Sequence, residues 1–117
     1  MQDLHELDAD GVSAAVCYVG VGSREQAVAI ARVVVEERLA AAANVIDGVS
    51  SVYWWQGKLE QAAETLVVLK TRQALLPALA ARVRELHSYE CPSIVALPVA
   101  WGDPDYLRWI EDETRPR

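Results

Sequence analysis

Phenylalanine is absent from this 117-residue chain, methionine occurs once, and cysteine and histidine occur twice each. Two cysteines, Cys17 and Cys91, are too few for a disulfide framework, which excludes a small stapled secreted scaffold. Basic residues number 11 against 17 acidic ones, a net charge of −6 at pH 7. A nucleic-acid binder needs a basic footprint, and only Arg82 and Arg84 approach one, so no nucleic-acid partner is expected. The longest apolar runs fall far short of the ~20 residues that span a bilayer, so no membrane partner is expected either. Met1 to Asp8 carry neither a basic n-region nor an apolar h-region. The expectation is therefore no export signal and a cytoplasmic compartment.

What is present is an apolar majority. Hydrophobic residues make up 52% of the chain, above the usual ~45–50%, and the surplus points to surface covered by other subunits. A chain this long forms one domain that buries roughly 65% of its unfolded surface. The expected division is a loose polar arm over 1–11, one domain over 12–113 and a frayed tail over 114–117. Glu111-Asp112-Glu113 would oppose the helix dipole at the end of a last helix, which is the reason to expect fraying.

Residues 12–21 are apolar on both faces, as in an interior strand, until Gly20 and Gly22 break the pattern. Ser23-Arg24-Glu25-Gln26 fits a capping box, and Ala27, Ile30, Ala31 and Val34 then recur at helical spacing, predicting a helix over 24–39. Ala40 to Ala43 is ambiguous, and Asp47-Gly48 reads as a turn. Val49 to Trp55 alternates as a strand, Gln56-Gly57 is a hairpin turn, and the return strand runs over 58–71. Its Leu66-Val67-Val68-Leu69 segment reads as buried on both faces. A helix over about 73–87 carries the stripe Leu76, Leu79, Val83 and Leu86, with Pro77 tolerable only near its first turn. A strand over 93–99 follows, and Asp103-Pro104-Asp105 opens a last short helix. The order βαββαβ plus a C-terminal helix predicts an α+β, ferredoxin-like sandwich.

Enzyme motifs are missing: there is no phosphate loop, no Gly-x-Gly-x-x-Gly, no His-Glu-x-x-His and no Gly-x-Ser-x-Gly. No catalytic activity is expected. His87 closes the second helix and reads either as a cation at the dipole's negative end or as a ligand for a soft or borderline metal beside a thiolate. Cys17, in an apolar strand, reads as a small hydrophobe, whereas Cys91 beside Pro92 is the more accessible thiol. Tyr53-Trp54-Trp55 places two tryptophans on opposite faces of a hairpin, which one small core cannot bury together. Packing against another subunit is the favoured reading of this trio, and base stacking is disfavoured by the charge. Lys70 must pair or reach solvent, with Glu64 and Glu90 as its candidate partners, either in a structural ion pair or in a polar intersubunit cleft.

Several blocks together resemble one family. Glu36-Glu37-Arg38-Leu39-Ala40-Ala41, Asn44-Val45-Ile46, Ser51 to Lys58 and Leu69-Lys70-Thr71 resemble the CutA family of divalent-cation-tolerance proteins. So do His87 to Pro92, Ile94 to Val99 and Tyr106 to Trp109, giving a match over about 12–113 in the right order. The Tyr-x-Trp-x-Gly-Lys and His-x-Tyr-Glu-x-Pro blocks are quite specific in combination. The resemblance implies a ferredoxin-like fold assembled as a tight homotrimer through long hairpin strands. It also implies linkage to copper and other divalent cations, without an established reaction.

In the family pattern, copper is bound by a cysteine on the first strand and two adjacent histidines at the end of the second helix. Cys17 and His87 match that pattern, while Leu86 stands in place of the first histidine and Ser88 in place of a proline. In a ferredoxin-like sheet the first and fourth strands are antiparallel neighbours, which would bring Cys91 toward Cys17 and His87. The expectation is a Cys17, His87, Cys91 set suited to Cu(I) or zinc. The alternative function is a signalling or interaction trimer that binds a small molecule in intersubunit clefts, with Glu64, Lys70, Tyr89 and Glu90 as lining candidates. That alternative rests on fold-level analogy with nitrogen-regulatory trimers.

Overall fold

The computed structural model describes residues 13–116, so the arm expected over 1–11 lies outside the described residues. Strand β1 (Ala14–Val21) leads to helix α1 (Arg24–Glu36), followed by the long strands β2 (Ala42–Trp55) and β3 (Lys58–Arg72). A single 3₁₀ turn over Gln73–Leu75 enters α2 (Leu76–Leu86), then come β4 (Ile94–Pro98) and α3 (Pro104–Glu113). The strands form one sheet in the order β2-β3-β1-β4, and every neighbouring pair is antiparallel. This is the expected ferredoxin-like α+β fold.

Helices α1 and α2 cover one face of the sheet. Strand residues alternate between faces, and Cys17, Val19 and Val21 of β1 with Val67 and Leu69 of β3 point to the helices, where all are buried. Ile30, Val34, Leu79 and Val83 close the core from the helical side. On the other face Val16, Tyr18, Leu66 and Val68 are only half-buried. The 66–69 segment is thus covered on one face within the chain, not on both. Helix α3 caps one end of that second face, where Leu107 and Ile110 pack with Ala14.

The ends of α1 show how local chemistry sets the boundaries. Ser23 Oγ accepts from the Gln26 amide at 3.2 Å, the expected N-cap. At the other end Leu39 N donates to Val34 O and Arg38 N to Val35 O, with Arg38 at φ 62°. This is a Schellman ending with arginine where glycine is commonest, and it stops the helix at Glu36 instead of 39. Ala41 N then donates to Lys70 O and β2 begins at Ala42, so strand pairing overrides alanine's helix preference.

Asp47-Gly48 is a bulge, not a turn. Ile46 pairs with Leu66 and Val49 with Glu64, so two residues of β2 oppose the single Thr65. Gly48 takes φ 77°, and Asp47 is anchored by Thr65 Oγ1 at 3.3 Å and by Arg24 at 2.7 Å. The extra residue restarts the alternation and aims Val49, Ser51, Tyr53 and Trp55 at the face opposite the helices. Gln56 (φ 51°) and Gly57 (φ 80°) close the hairpin with two left-handed residues, as a type I′ turn requires. The hairpin raises the radius of gyration to 15.2 Å, against roughly 13 Å for a compact chain of this length.

The end of α3 is held. Arg38 reaches the Glu113 carboxylate at 2.8 Å, Arg115 pairs with Glu111, and Arg72 Nε donates to Thr114 Oγ1 at 2.8 Å. Thr114 is buried. Three arginines offset the unfavourable dipole at the end where fraying is expected; Arg117 lies outside the described residues.

Candidate functional site

The structure does not assemble Cys17, His87 and Cys91 into a metal centre. Cys17 faces the helices, 2% exposed, opposite Leu69 and Ala96, and burial pushes its thiol up, away from the thiolate that a soft metal needs. His87 has both ring nitrogens engaged: Nε2 lies 2.7 Å from Gly20 O, and Nδ1 accepts from the Tyr89 amide at 3.0 Å. Because an amide N–H only donates, Nδ1 is the bare nitrogen and Nε2–H donates to Gly20 O. The ring is therefore a neutral strut between β1 and the loop after α2, neither a free ligand nor a cation on the helix end.

Cys91 is exposed. Register is the physical reason for the separation: β4 does lie beside β1, but it begins with Ile94 opposite Val19, and Cys91 precedes it by three residues. Among the described residues no group of three or more His, Cys, Asp or Glu side chains can hold a metal ion.

Lys70 pairs with neither expected partner. Its Nζ donates to Asn44 Oδ1 at 2.8 Å and lies 6.0 Å from the centre of the Tyr106 ring, on the face opposite the helices. Glu90 is exposed and makes no hydrogen bond or ion pair with the described residues.

Glu64 and Tyr89 do come together. Tyr89 Oη donates to Glu64 Oε2 at 3.0 Å, and its ring leans on His87 with centroids 4.6 Å apart. Burial, then the hydrogen bond and charge of Glu64, push the Tyr89 phenol up to about 12. Ser93 Oγ accepts from Gly20 N at 3.2 Å. Gly20 lies inside β1 and does not break it; a Cβ there would stand 2.9 Å from Ser93 Oγ and 3.2 Å from Glu64 Oε2. A glycine inside a strand marks such a close approach.

Next to this cluster an open cleft of about 160 Å³ is walled by Tyr18, Val49, Leu66 and Val95, with Ser51, Glu64 and Ser93 as its polar side chains. Of these only Glu64 was among the residues singled out from sequence. Tyr53, Trp54 and Trp55 lie beyond the cleft on the hairpin, exposed by 42%, 73% and 40%. Neither tryptophan is buried by its own chain.

Comparison with known proteins agrees with this architecture. The family described as CutA1 divalent ion tolerance protein matches residues 15–113. The chain is 41% identical over 104 residues to the chloroplastic protein CutA 1 of Oryza sativa, covering 89% of this chain and 59% of that protein. It is 44% identical over 99 residues to the divalent-cation tolerance protein CutA of Thermus thermophilus, covering 85% and 96%. It spans about three fifths of the length of the rice and Arabidopsis relatives. The crystal structure of CutA1 from Oryza sativa superposes with a TM-score of 0.87 at 40% identity, covering 92% of this chain and 98% of that one. The structure of the Thermus thermophilus protein gives 0.85 at 43% identity, covering 87% and 99%.

These relatives correct the expected compartment. Two are described as chloroplastic and the Archaeoglobus fulgidus protein as periplasmic, so the cytoplasmic expectation drawn from the polar first residues is not supported.

Proposed function

Because the chain belongs to the CutA1 divalent-ion tolerance family, we propose that it serves divalent-cation tolerance as a homotrimer that binds without catalysis. The observation that supports this reading is the apolar sheet face opposite the helices. Val95 and Leu97 there are 59% and 55% exposed, beside half-buried Val16, Tyr18, Leu66 and Val68. A contiguous apolar patch of this kind marks an interaction surface. Trp54 and Leu59 extend apolar surface along the protruding hairpin, and among the described residues β4 is a sheet edge for a neighbouring strand to use.

Copper and zinc do not fit the donors that the described residues of one chain bring together. Cys17 is sealed in the core, His87 has no free nitrogen, and Cys91 stands alone. Cation binding in this reading draws on donors from more than one subunit. Light scattering at micromolar concentration is expected to return the mass of three chains, and a folded monomer would overturn the assembly. Calorimetry with copper and zinc tests the cation, with Cys17→Ala expected to leave the heat unchanged.

A second reading, a trimer that binds a small molecule, is favoured by the Glu64 cleft, which lies on the same sheet face.

A further inference from the structure

We propose that Asp47-Gly48 is a site of spontaneous isoaspartate formation, and that the grip of Arg24 on the Asp47 carboxylate sets its rate. The inference depends on neither the cation nor the assembly.

The chemistry needs an aspartate followed by a residue whose nitrogen no side chain crowds, in backbone that can turn toward the carboxyl. Asp-Gly occurs twice in the sequence, at Asp10-Gly11 and at Asp47-Gly48, and only the second lies among the described residues. A Cβ built on Gly48 would meet nothing within 4 Å, so the space around it is open. Its φ of 77° departs from the strand, and the pairing passes from Ile46 opposite Leu66 to Val49 opposite Glu64 without it. A bulge residue lies outside the ladder, so this peptide turns at smaller cost than one in a regular strand.

The site lies on the helix side of the sheet. Asp47 reaches Thr65, which alternates with the buried Val67 and Leu69, and Arg24, the first residue of α1. The apolar face assigned to assembly is the opposite one. No partner molecule has to enter, because the reaction is intramolecular apart from water.

In the carboxylic acid form of Asp47, the Gly48 nitrogen attacks Cγ. An N–Cγ bond forms, the Cγ–OH bond breaks, and the hydroxyl leaves with the amide proton as water, closing a succinimide ring. Water then opens the ring. Attack at Cγ restores aspartate. Attack at the Asp47 main-chain carbonyl breaks its bond to nitrogen and leaves the chain running through Cβ and Cγ, with a free α-carboxylate. The water released at closure is matched by the water consumed at opening.

The folded carboxylate is held back from this course. Arg24 Nη1 donates to Oδ2 at 2.7 Å and Thr65 Oγ1 donates to Oδ1 at 3.3 Å, and both bonds oppose the rotation that brings Cγ to Gly48 N. The bond from Arg24 is charge-assisted. Its side chains are 61% and 53% exposed, so the hold is modest. The product lengthens the main chain at the bulge that aims Val49, Ser51, Tyr53 and Trp55, so the alternation of the hairpin is what the reaction disturbs.

The experiment holds the full chain at neutral pH for weeks, then maps isoaspartate by trypsin digestion and electron-transfer fragmentation. Cleavage after Arg38 and Lys58 isolates residues 39–58, whose sole acid is Asp47, from residues 1–24, which hold Asp10. Isoaspartate is expected at Asp47, forming roughly threefold faster in Arg24→Ala, the scale on which an exposed ion pair acts. It should be lost in Gly48→Asn, whose side chain crowds the nitrogen while asparagine still tolerates the left-handed backbone. Absence of isoaspartate from residues 39–58 in both the parent and Arg24→Ala would overturn the proposal. So would equal rates in those two, or undiminished formation in Gly48→Asn. Circular dichroism shows whether each variant is folded. If Arg24→Ala is not, Arg24→Gln, which keeps most of the side chain without its charge, replaces it with the same expected direction.

Discussion

The two faces of the sheet are built from similar residues and meet opposite fates. On the helix side Val19, Val21, Val67 and Leu69 lose all contact with water beneath α1 and α2. On the other side Val16, Tyr18, Leu66 and Val68 stay half-buried, and Val95 and Leu97 are more than half exposed. Hydrophobicity alone does not distinguish them; what differs is whether an element among the described residues covers the face. Two helices are spent on one side, and α3 reaches only the end of the other, near Ala14 and Lys70. The lesson is that a doubly apolar strand in a small α+β protein signals an unfilled interface as readily as a doubly covered one.

The largest effect is expected on the covered face. Leu79→Ala removes a fully buried side chain between α2 and the sheet, and should cost about 3–4 kcal/mol in denaturant unfolding. On the uncovered face Leu97→Lys should leave the subunit fold intact by circular dichroism while weakening assembly by about 2–3 kcal/mol, the scale of an interface hot spot. Sedimentation would read this as lighter species on dilution. If Leu97→Lys unfolds the chain as Leu79→Ala does, the contrast between the faces collapses.

The junction between the faces gives a smaller effect with a defined pH signature. Tyr89 is pushed up from 10.0 to about 12, so the unfolded chain releases its proton first. The stabilisation is complete below pH 10 and is lost as pH rises through the folded value. Glu64→Gln removes the charge and the carboxylate hydrogen bond, so the phenol should titrate lower, though burial still holds it above 10.0. Phenolate absorbance, referenced to Tyr89→Phe, measures the difference; an unmoved titration would remove Glu64 as a cause.

The smallest effect belongs to the hairpin tip, away from both faces. Gln56 sits at φ 51°, a conformation that asparagine adopts more readily, so Gln56→Asn should stabilise by about 0.5 kcal/mol. Thermal melts that show a loss would contradict the type I′ turn.

The candidate site was the least legible part of the chain, because it depends on register. Glu64 and Tyr89 were visible as candidates, but their contact requires the loop after α2 to fold back over the end of β1, which no local pattern encodes. Ser93, Ser51 and Tyr18 carried no signal of their own. The proposed Cys17, His87, Cys91 set failed for the same reason. Strand adjacency was inferred correctly, yet the offset along the strands places Cys17 opposite Ala96 and leaves Cys91 beyond the end of the pairing.

By itself the sequence determined the order of elements, the Ser23 and Asp103 caps, the hairpin turn and the apolar helix stripes. Each of these is decided within a few residues by hydrogen bonds, backbone sterics or periodicity. Only the tertiary structure decided that the alanines after α1 enter a strand, that Asp47-Gly48 bulges instead of turning, that arginines 38 and 72 hold the acidic end of α3, and which sheet face remains open. Those outcomes rest on partners 18 to 75 residues away. A distant partner's contribution exists only once the chain has folded, so no window of sequence contains it.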